Sequence, residues 1–317
     1  MNSELISKVL VLDNSPLHAA AIKTFCDDNR LVGLKVGKDR LMSVLRSNID
    51  LGAILYSESY GETAAESTDI ARRIRSIRPE LPIMLRRDEI SANANDNKEL
   101  QGLCCTSYST DDLAGLSRAI DEFIFSLVYP NALVRGISEL TLGTLGSQFS
   151  YLTASVATPY IVRDRVIFGE VFSLIPIEGS WCRGYMTLQT EEQPILDILD
   201  VHQPRHGGAD FRTVNSLLGE LTNLIWGAFK SRFLVDEERS RSPIQVPLIV
   251  NHRHRFISFG TENPQLCFLY TLTDAASGRS FKLYQRFVFN LSWSPEQFRE
   301  IAQVPGEVTD AGELEMF

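Results

Sequence analysis

The stretch SLLGELTN at 216–223 sets a carboxylate and a carboxamide three residues apart, Glu220 and Asn223, in a run that otherwise reads as a buried helix. Residues three and four apart share one face of a helix, so Ser216, Glu220, Asn223 and Gly227 form a single stripe of NSLLGELTNLIWGAFK. Leu217, Leu218, Leu221, Leu224 and Ile225 occupy most of the rest. A carboxylate can pair with a cation. A neutral carboxamide can accept a hydrogen bond and donate one at the same time, which a carboxylate cannot do. A polar stripe ending in glycine on such an apolar helix is either solvent-facing or working. Glu and Asn meet at this spacing by chance about once in a chain this long, so the surrounding elements must carry the reading.

The chain has 317 residues, 44% of them hydrophobic, which is more than one core usually serves, and two domains are expected. A formal charge of -9 argues against nucleic acid or an anionic membrane as the principal partner. Proteins or small molecules remain. Five cysteines, with no CxxC pair among them, suggest neither a disulfide framework nor a zinc knuckle, and fit reduced thiols in a cytoplasm. The opening MNSELISKVLVLD lacks a basic start and an uninterrupted apolar run, so export by a signal peptide is not expected. No apolar run approaches the roughly 18 residues of a membrane-spanning helix, and a soluble, cytoplasmic protein is expected.

KVLVLD at 8–13 is a short apolar run rich in β-branched residues, closed by the turn residues Asn14, Ser15 and Pro16 and followed by an amphipathic stretch over 17–25. The same alternation returns at RLVGLKV with 38–45, DLGAILY with 68–77, LPIML with a polar segment near Lys98, and GLCCTSY with 111–127. Five βα units predict an α/β fold with a doubly wound parallel sheet, ligands being expected at the carboxyl ends of the strands. The pattern changes at VYPN, so the domains are placed at 1–128 and 131–303, with an acidic tail at 304–317 that has little to bury. The second domain reads as α+β, with helices over 133–149 and 211–233 and extended runs over 166–176, 185–190, 246–250, 256–259, 266–272 and 281–289. Its sheet should be largely antiparallel.

VLVLDNSP resembles the first strand and turn of bacterial response-regulator receiver domains, and the resemblance spans about 8–127. In that family an aspartate ending the third strand carries a phosphoryl group, paired acids after the first strand hold magnesium, and a lysine after the fifth contacts the phosphoryl group. Here the chemistry departs from the pattern. Asp13 takes one acid position, but Asn14 takes the other and brings no charge to a hard cation. Tyr56, Ser57 or Glu58 stands at the acceptor position, Arg86 replaces a small hydroxyl residue after the fourth strand, and Thr106 falls where the lysine is expected. A pseudo-receiver is implied, with the fold kept and phosphorylation lost. A nucleotide-binding doubly wound domain is the plainer alternative, but DNSPLH has no glycine to cradle phosphate.

The pattern Ser-x-x-x-Glu-x-x-Asn-x-x-x-Gly, formed by Ser216, Glu220, Asn223 and Gly227, resembles the signature of CheC/CheX-type chemotaxis phosphatases. An earlier helix containing ISELTLGTLG and a hairpin with GSWCRGYMTLQT agree, over about 131–290. In the earlier helix Glu139 is followed by Leu142 rather than Asn, so a single site is expected, as in the CheX branch. The resemblance implies hydrolysis of the aspartyl phosphate of a separate CheY-like receiver, with Asn223 orienting the water and Glu220 docking on the receiver's lysine. Ser216 and Gly227 support them. Magnesium comes with the phosphorylated receiver, no cofactor or metal is expected in this chain, and the family implies a homodimer.

His202, His206, His252 and His254 have no carboxylate at ligand spacing and are not read as a metal site. The arginines of RRIRSIR at 72–78 read as the solvated side of the third helix, and Trp181 and Trp226 as packing residues. The combined expectation is a two-domain signalling protein of a two-component or chemotaxis pathway. Its receiver-like unit docks a histidine kinase or the target, or gates access to the Glu220 and Asn223 helix. The alternatives are a non-enzymatic signalling adaptor and an atypical response regulator with a CheX-like output domain.

Overall fold

The computed structural model describes residues 5–47, 50–88, 98–163, 170–202, 209–234, 248–251 and 263–301. Five strands, β1 (Ser7–Leu12), β2 (Leu31–Lys35), β3 (Leu51–Ser57), β4 (Ile83–Arg86) and β5 (Thr106–Tyr108), form one sheet of order β2-β1-β3-β4-β5. Every pairing in it is parallel. The helices α1 (Pro16–Asp28), α2 (Leu41–Ser47), α3 (Ala64–Ile77), α4 (Lys98–Leu103) and α5 (Leu113–Phe123) alternate with these strands. Val9, Val11, Leu55 and Met84 belong to one apolar cluster, and their alternating neighbours Leu10, Leu12, Ile54, Ile83 and Leu85 to another. Both faces of the sheet are therefore covered, which is why these strands read as continuous apolar runs.

The second sheet is built from β6 (Thr153–Val156), β7 (Tyr160–Val162), β8 (Val171–Glu178), β9 (Cys182–Thr190), β10 (Leu248–Asn251), β11 (Gln265–Thr273) and β12 (Ser280–Trp293), in the order β10-β8-β9-β12-β11-β6, with β7 also on β11. All of its pairings are antiparallel. The helices α6 (Asn131–Gln148), α7 (Glu192–His202) and α8 (Phe211–Phe233) accompany it, α6 and α8 side by side and α8 across β8, β9 and β10. The overall class is thus the expected one, a doubly wound parallel unit followed by an α+β unit.

Several expectations need correction. Helix α7 and the strands β6 and β7 were not anticipated, and the strand expected to begin at 166 begins at Val171. Arg78 does not lie on a solvated helix side: it is buried, with Nε 2.5 Å from Glu80 Oε1 and an η nitrogen donating to the Leu45 carbonyl. Arg75 donates to the Leu103 and Pro79 carbonyls, and of the arginines in that segment only Arg72 and Arg73 are exposed. The strand expected at 256–259, the tail at 304–317, and His206, His252 and His254 lie outside the described residues.

The two units are joined at the amino ends of β1 and β3. The backbone of Ile6 bridges Tyr160 in parallel fashion, Ser7 Oγ donates to the Ile161 carbonyl at 2.8 Å, and Tyr160 Oη donates to Asp50 Oδ1 at 3.0 Å. Lys8 Nζ completes the group 3.1 Å from Asp50 Oδ2. A Cβ on Gly52 would sit 2.1 Å from Ser7 Oγ, so glycine is required for this close approach. Buried residues of both units, such as Val9 and Ile120 with Leu133 and Phe229, belong to one apolar cluster.

Candidate functional site

Helix α8 is fixed at both ends and along its buried side. Asp210 caps it, its carboxylate accepting the backbone N–H groups of Arg212 and Thr213 at 3.1 Å each, and Lys230 and Arg232 lie in the last turn. Val214, Leu218, Leu221, Ile225 and Phe229, spaced three and four apart, are buried. Thr222 sets the rotation of the helix: its buried hydroxyl lies 2.7 Å from Ser173 Oγ on β8 and 2.7 Å from the Leu218 carbonyl. Trp181 Nε1 donates to the Phe233 carbonyl at 2.9 Å and anchors the far end. With Leu221 and Thr222 turned inward, Asn223 must turn outward.

Ser216, Glu220, Asn223 and Gly227 are all exposed, on one stripe of α8. Glu220 and Asn223 are separated along the axis by about 4.5 Å, three residues at roughly 1.5 Å each. Among the described residues, the Ser216, Glu220 and Asn223 side chains have no hydrogen-bond or ion-pair partner. A Cβ on Gly227 would meet nothing within 4 Å, so internal packing does not require glycine there. The structure thus gathers all four residues and leaves them facing outward.

The neighbouring helix α6 presents the opposite condition. Glu139 on it lies 3.5 Å from Arg135 Nε and 2.8 Å from an η nitrogen of Arg232, which also reaches Glu300 at 2.7 Å. Burial alone would depress the Arg232 guanidinium, but its hydrogen bonds to Glu139 and Glu300 outweigh this and hold it above its usual range. A Cβ on Gly136 would lie 2.5 Å from Phe233 Cζ, so α6 and α8 meet closely at this end. Leu142, not a carboxamide, stands three residues after Glu139.

The carboxyl end of the first sheet is filled from within. Arg86, 1% exposed at the end of β4, donates from Nε to Asp13 Oδ2 at 2.6 Å, from Nη1 to Asp88 Oδ1 at 2.5 Å and from Nη2 to Ser57 Oγ at 2.7 Å. The guanidinium lies between the end of β1 and the end of β3. Desolvation would depress it, but the hydrogen bonds and charges of Asp13 and Asp88 raise it. The Asp88 carboxyl, pushed up by burial, is drawn down further by hydrogen bonds from Arg86 and Ser59.

Of the three residues considered for the acceptor position, Ser57 reaches this group. Tyr56 donates instead to the Ser67 carbonyl, and Glu58 touches the group only through the backbone N–H of Asp88, which it accepts at 3.4 Å, and lies 3.9 Å from Arg87. Asn14 is 3.5 Å from the Tyr60 carbonyl. Thr106 is not brought to the pocket: it opens β5 opposite Met84, whereas Tyr108 is level with Arg86. Asp88, a central member of the group, was not among the residues expected from the sequence, although RRD at 86–88, running out of the end of β4, was the available signal. Among the described residues no group of three His, Cys, Asp or Glu side chains could hold a metal ion. His202 lies instead 3.2 Å from Asp274, against the Tyr151 ring. No helix is long and apolar enough to cross a membrane among the described residues.

No family model and no curated protein matches this chain. Among solved structures it is similar to a chemotactic CheC-like protein from Shewanella oneidensis, at 19% identity and TM-score 0.37, over 50% of this chain and 100% of that one. It is also similar to a chain of the CheX-CheY-BeF3-Mg complex from Borrelia burgdorferi, at 12% identity and TM-score 0.31, over 49% and 97%. A response regulator from Thermotoga maritima matches at 17% identity and TM-score 0.32, over 38% of this chain and 98% of that one.

Proposed function

We propose that the protein dephosphorylates the aspartyl phosphate of a separate CheY-like receiver, with the Glu220 and Asn223 stripe of α8 as the active surface. One observation carries this reading: a carboxylate and a carboxamide one turn apart, exposed and unpartnered among the described residues, on a helix fixed everywhere else. Idle polar groups on an immobile element are available to a partner without reorganisation.

In the reaction, a water attacks the phosphorus, the bond between phosphorus and the aspartyl oxygen breaks, and inorganic phosphate and a free carboxylate result. The water's protons pass to phosphate oxygen. Asn223 accepts a hydrogen bond from that water through its side-chain oxygen and donates through its NH2 to a phosphoryl oxygen, holding the water in line. Glu220 pairs with the receiver's lysine and sets the register of the helix in the partner's pocket. Magnesium belongs to the phosphorylated substrate.

A second reading, a non-enzymatic adaptor, finds support in the first unit, whose Asp13, Ser57 and Asp88 are already engaged by Arg86. Incubation with receivers charged by acetyl phosphate in excess magnesium separates the two. Accelerated phosphate release that Asn223→Ala abolishes supports the enzyme, and binding without acceleration supports the adaptor. Labelling of the first unit by acetyl phosphate would favour an atypical response regulator.

A further inference from the structure

Beside the first half of α8 lies an open groove of about 450 Å³. Arg212, Ser216 and Glu220 line one side of it, and Phe149, Tyr151 and Leu199 face them. Arg212 lies four residues before Ser216 and continues the stripe of Glu220 and Asn223 by one turn. Arg212 and Glu220 mark the two ends of this wall, eight residues or about 12 Å apart.

Arg212 is exposed, its guanidinium makes no salt bridge among the described residues, although its charge is felt by the capping Asp210, and it lies 5.7 Å from the Phe211 ring. This contrasts with Arg78, Arg86 and Arg232, each held by an internal carboxylate. Phe211, 48% exposed, and Leu224, 40% exposed, lie on the same helix outside the lining of the groove.

We propose that this groove is a bipolar docking seat for the phosphorylated receiver, in which Glu220 meets a cationic side chain and Arg212 an acidic one on the same receiver surface. The proposal rests on the phosphatase reading and adds to it a residue that selects the partner. A chain of net charge -9 must approach a pocket that carries carboxylates and a phosphoryl dianion. A cation beside the contact surface offsets that repulsion and fixes the direction of approach, because opposed charges at two separated points admit one orientation and reject its reverse. An arginine flanked by an exposed aromatic ring is also the composition that protein interfaces favour.

The test measures phosphate release from a panel of CheY-type receiver domains charged by acetyl phosphate in excess magnesium, for the wild type, Arg212→Glu, Arg212→Lys and Asn223→Ala. Arg212→Glu should raise KM about tenfold and flatten its dependence on salt, with kcat within about twofold. Arg212→Lys should keep most of the wild-type KM. Folding is not at stake, because the residue is exposed in the first helical turn, where a carboxylate is favoured by the helix dipole.

An active wild type whose KM and salt dependence do not change in Arg212→Glu would overturn the docking seat and leave the phosphatase reading intact. A wild type that releases no phosphate, yet binds a beryllofluoride-loaded receiver in calorimetry with an affinity that Arg212→Glu weakens, would overturn the phosphatase reading and keep the seat. Neither release nor binding across the panel would overturn both.

Discussion

At the carboxyl end of the first sheet, Asp13, Ser57, Arg86 and Asp88 satisfy one another. On α8, Ser216, Glu220 and Asn223 face outward with no partner among the described residues. The difference follows from burial. A guanidinium withdrawn from water must be neutralised by its own chain, and two carboxylates and a hydroxyl have been drawn into that task. On α8 the apolar stripe and the capping Asp210 already secure the helix, so its outer residues carry no structural duty. The same two units thus show a site closed by its own charges and a surface left open.

The largest effect should come from breaking the closed site. Arg86→Ala would leave Asp13 and Asp88 without their cation, and a loss of roughly 3–5 kcal/mol is expected in denaturant unfolding. A loss below about 1 kcal/mol would mean that water already screens the group. On the open side, Asn223→Ala should slow phosphate release on the order of 10²-fold. Its denaturation midpoint should stay at the wild-type value, because the side chain holds nothing in place. A fall in both activity and stability would show that the residue is structural.

Acid tests the closed category again at a second place. The Asp274 carboxyl, held by the Ser277 hydroxyl, the Ala276 N–H and His202, is lowered to about 2. Its folded value lies below the unfolded value of about 3.9, so its contribution is fully present above about pH 4 and is lost as the pH falls toward 2. Asp274→Asn should lower stability at neutral pH and shrink the difference from wild type as acid is added. The smallest effect should come from α6. Glu139→Gln should cost at most about 1 kcal/mol, since the Glu139 side chain is itself half exposed and Arg232 keeps its pair with Glu300, and should leave phosphate release within about twofold. A large fall in turnover would show that α6 carries a second active surface.

Much of this was legible in the sequence where periodicity is local. Helix α8 runs over the predicted 211–233, because an Asp cap and apolar residues three and four apart are short-range signals. The five parallel strands were legible for a similar reason: burial on both faces leaves unbroken apolar runs. Helix α7 was missed because Pro194 reads as a breaker, yet it sits in the first turn, where no backbone N–H is needed. Strands β6 and β7 are four and three residues long and exist through pairing with the distant β11. The contact between Asp13 and Arg86 spans 73 positions and could not be read from either segment alone. Arg212 shares the spacing of the stripe with Ser216, but only the groove walled by Phe149, Tyr151 and Leu199 from distant segments sets it apart from other exposed arginines.

The joint between the units has a mechanical consequence. Tyr160, Asp50, Ser7 and Ile161 hold the halves together independently of the covalent connection through Val128, which is 71% exposed. A protease that nicked the chain beside Val128 should therefore yield two fragments that migrate as one particle under native conditions and part only in denaturant. The peptide link serves there as a tether, and the amino edges of β1 and β3 serve as the clasp.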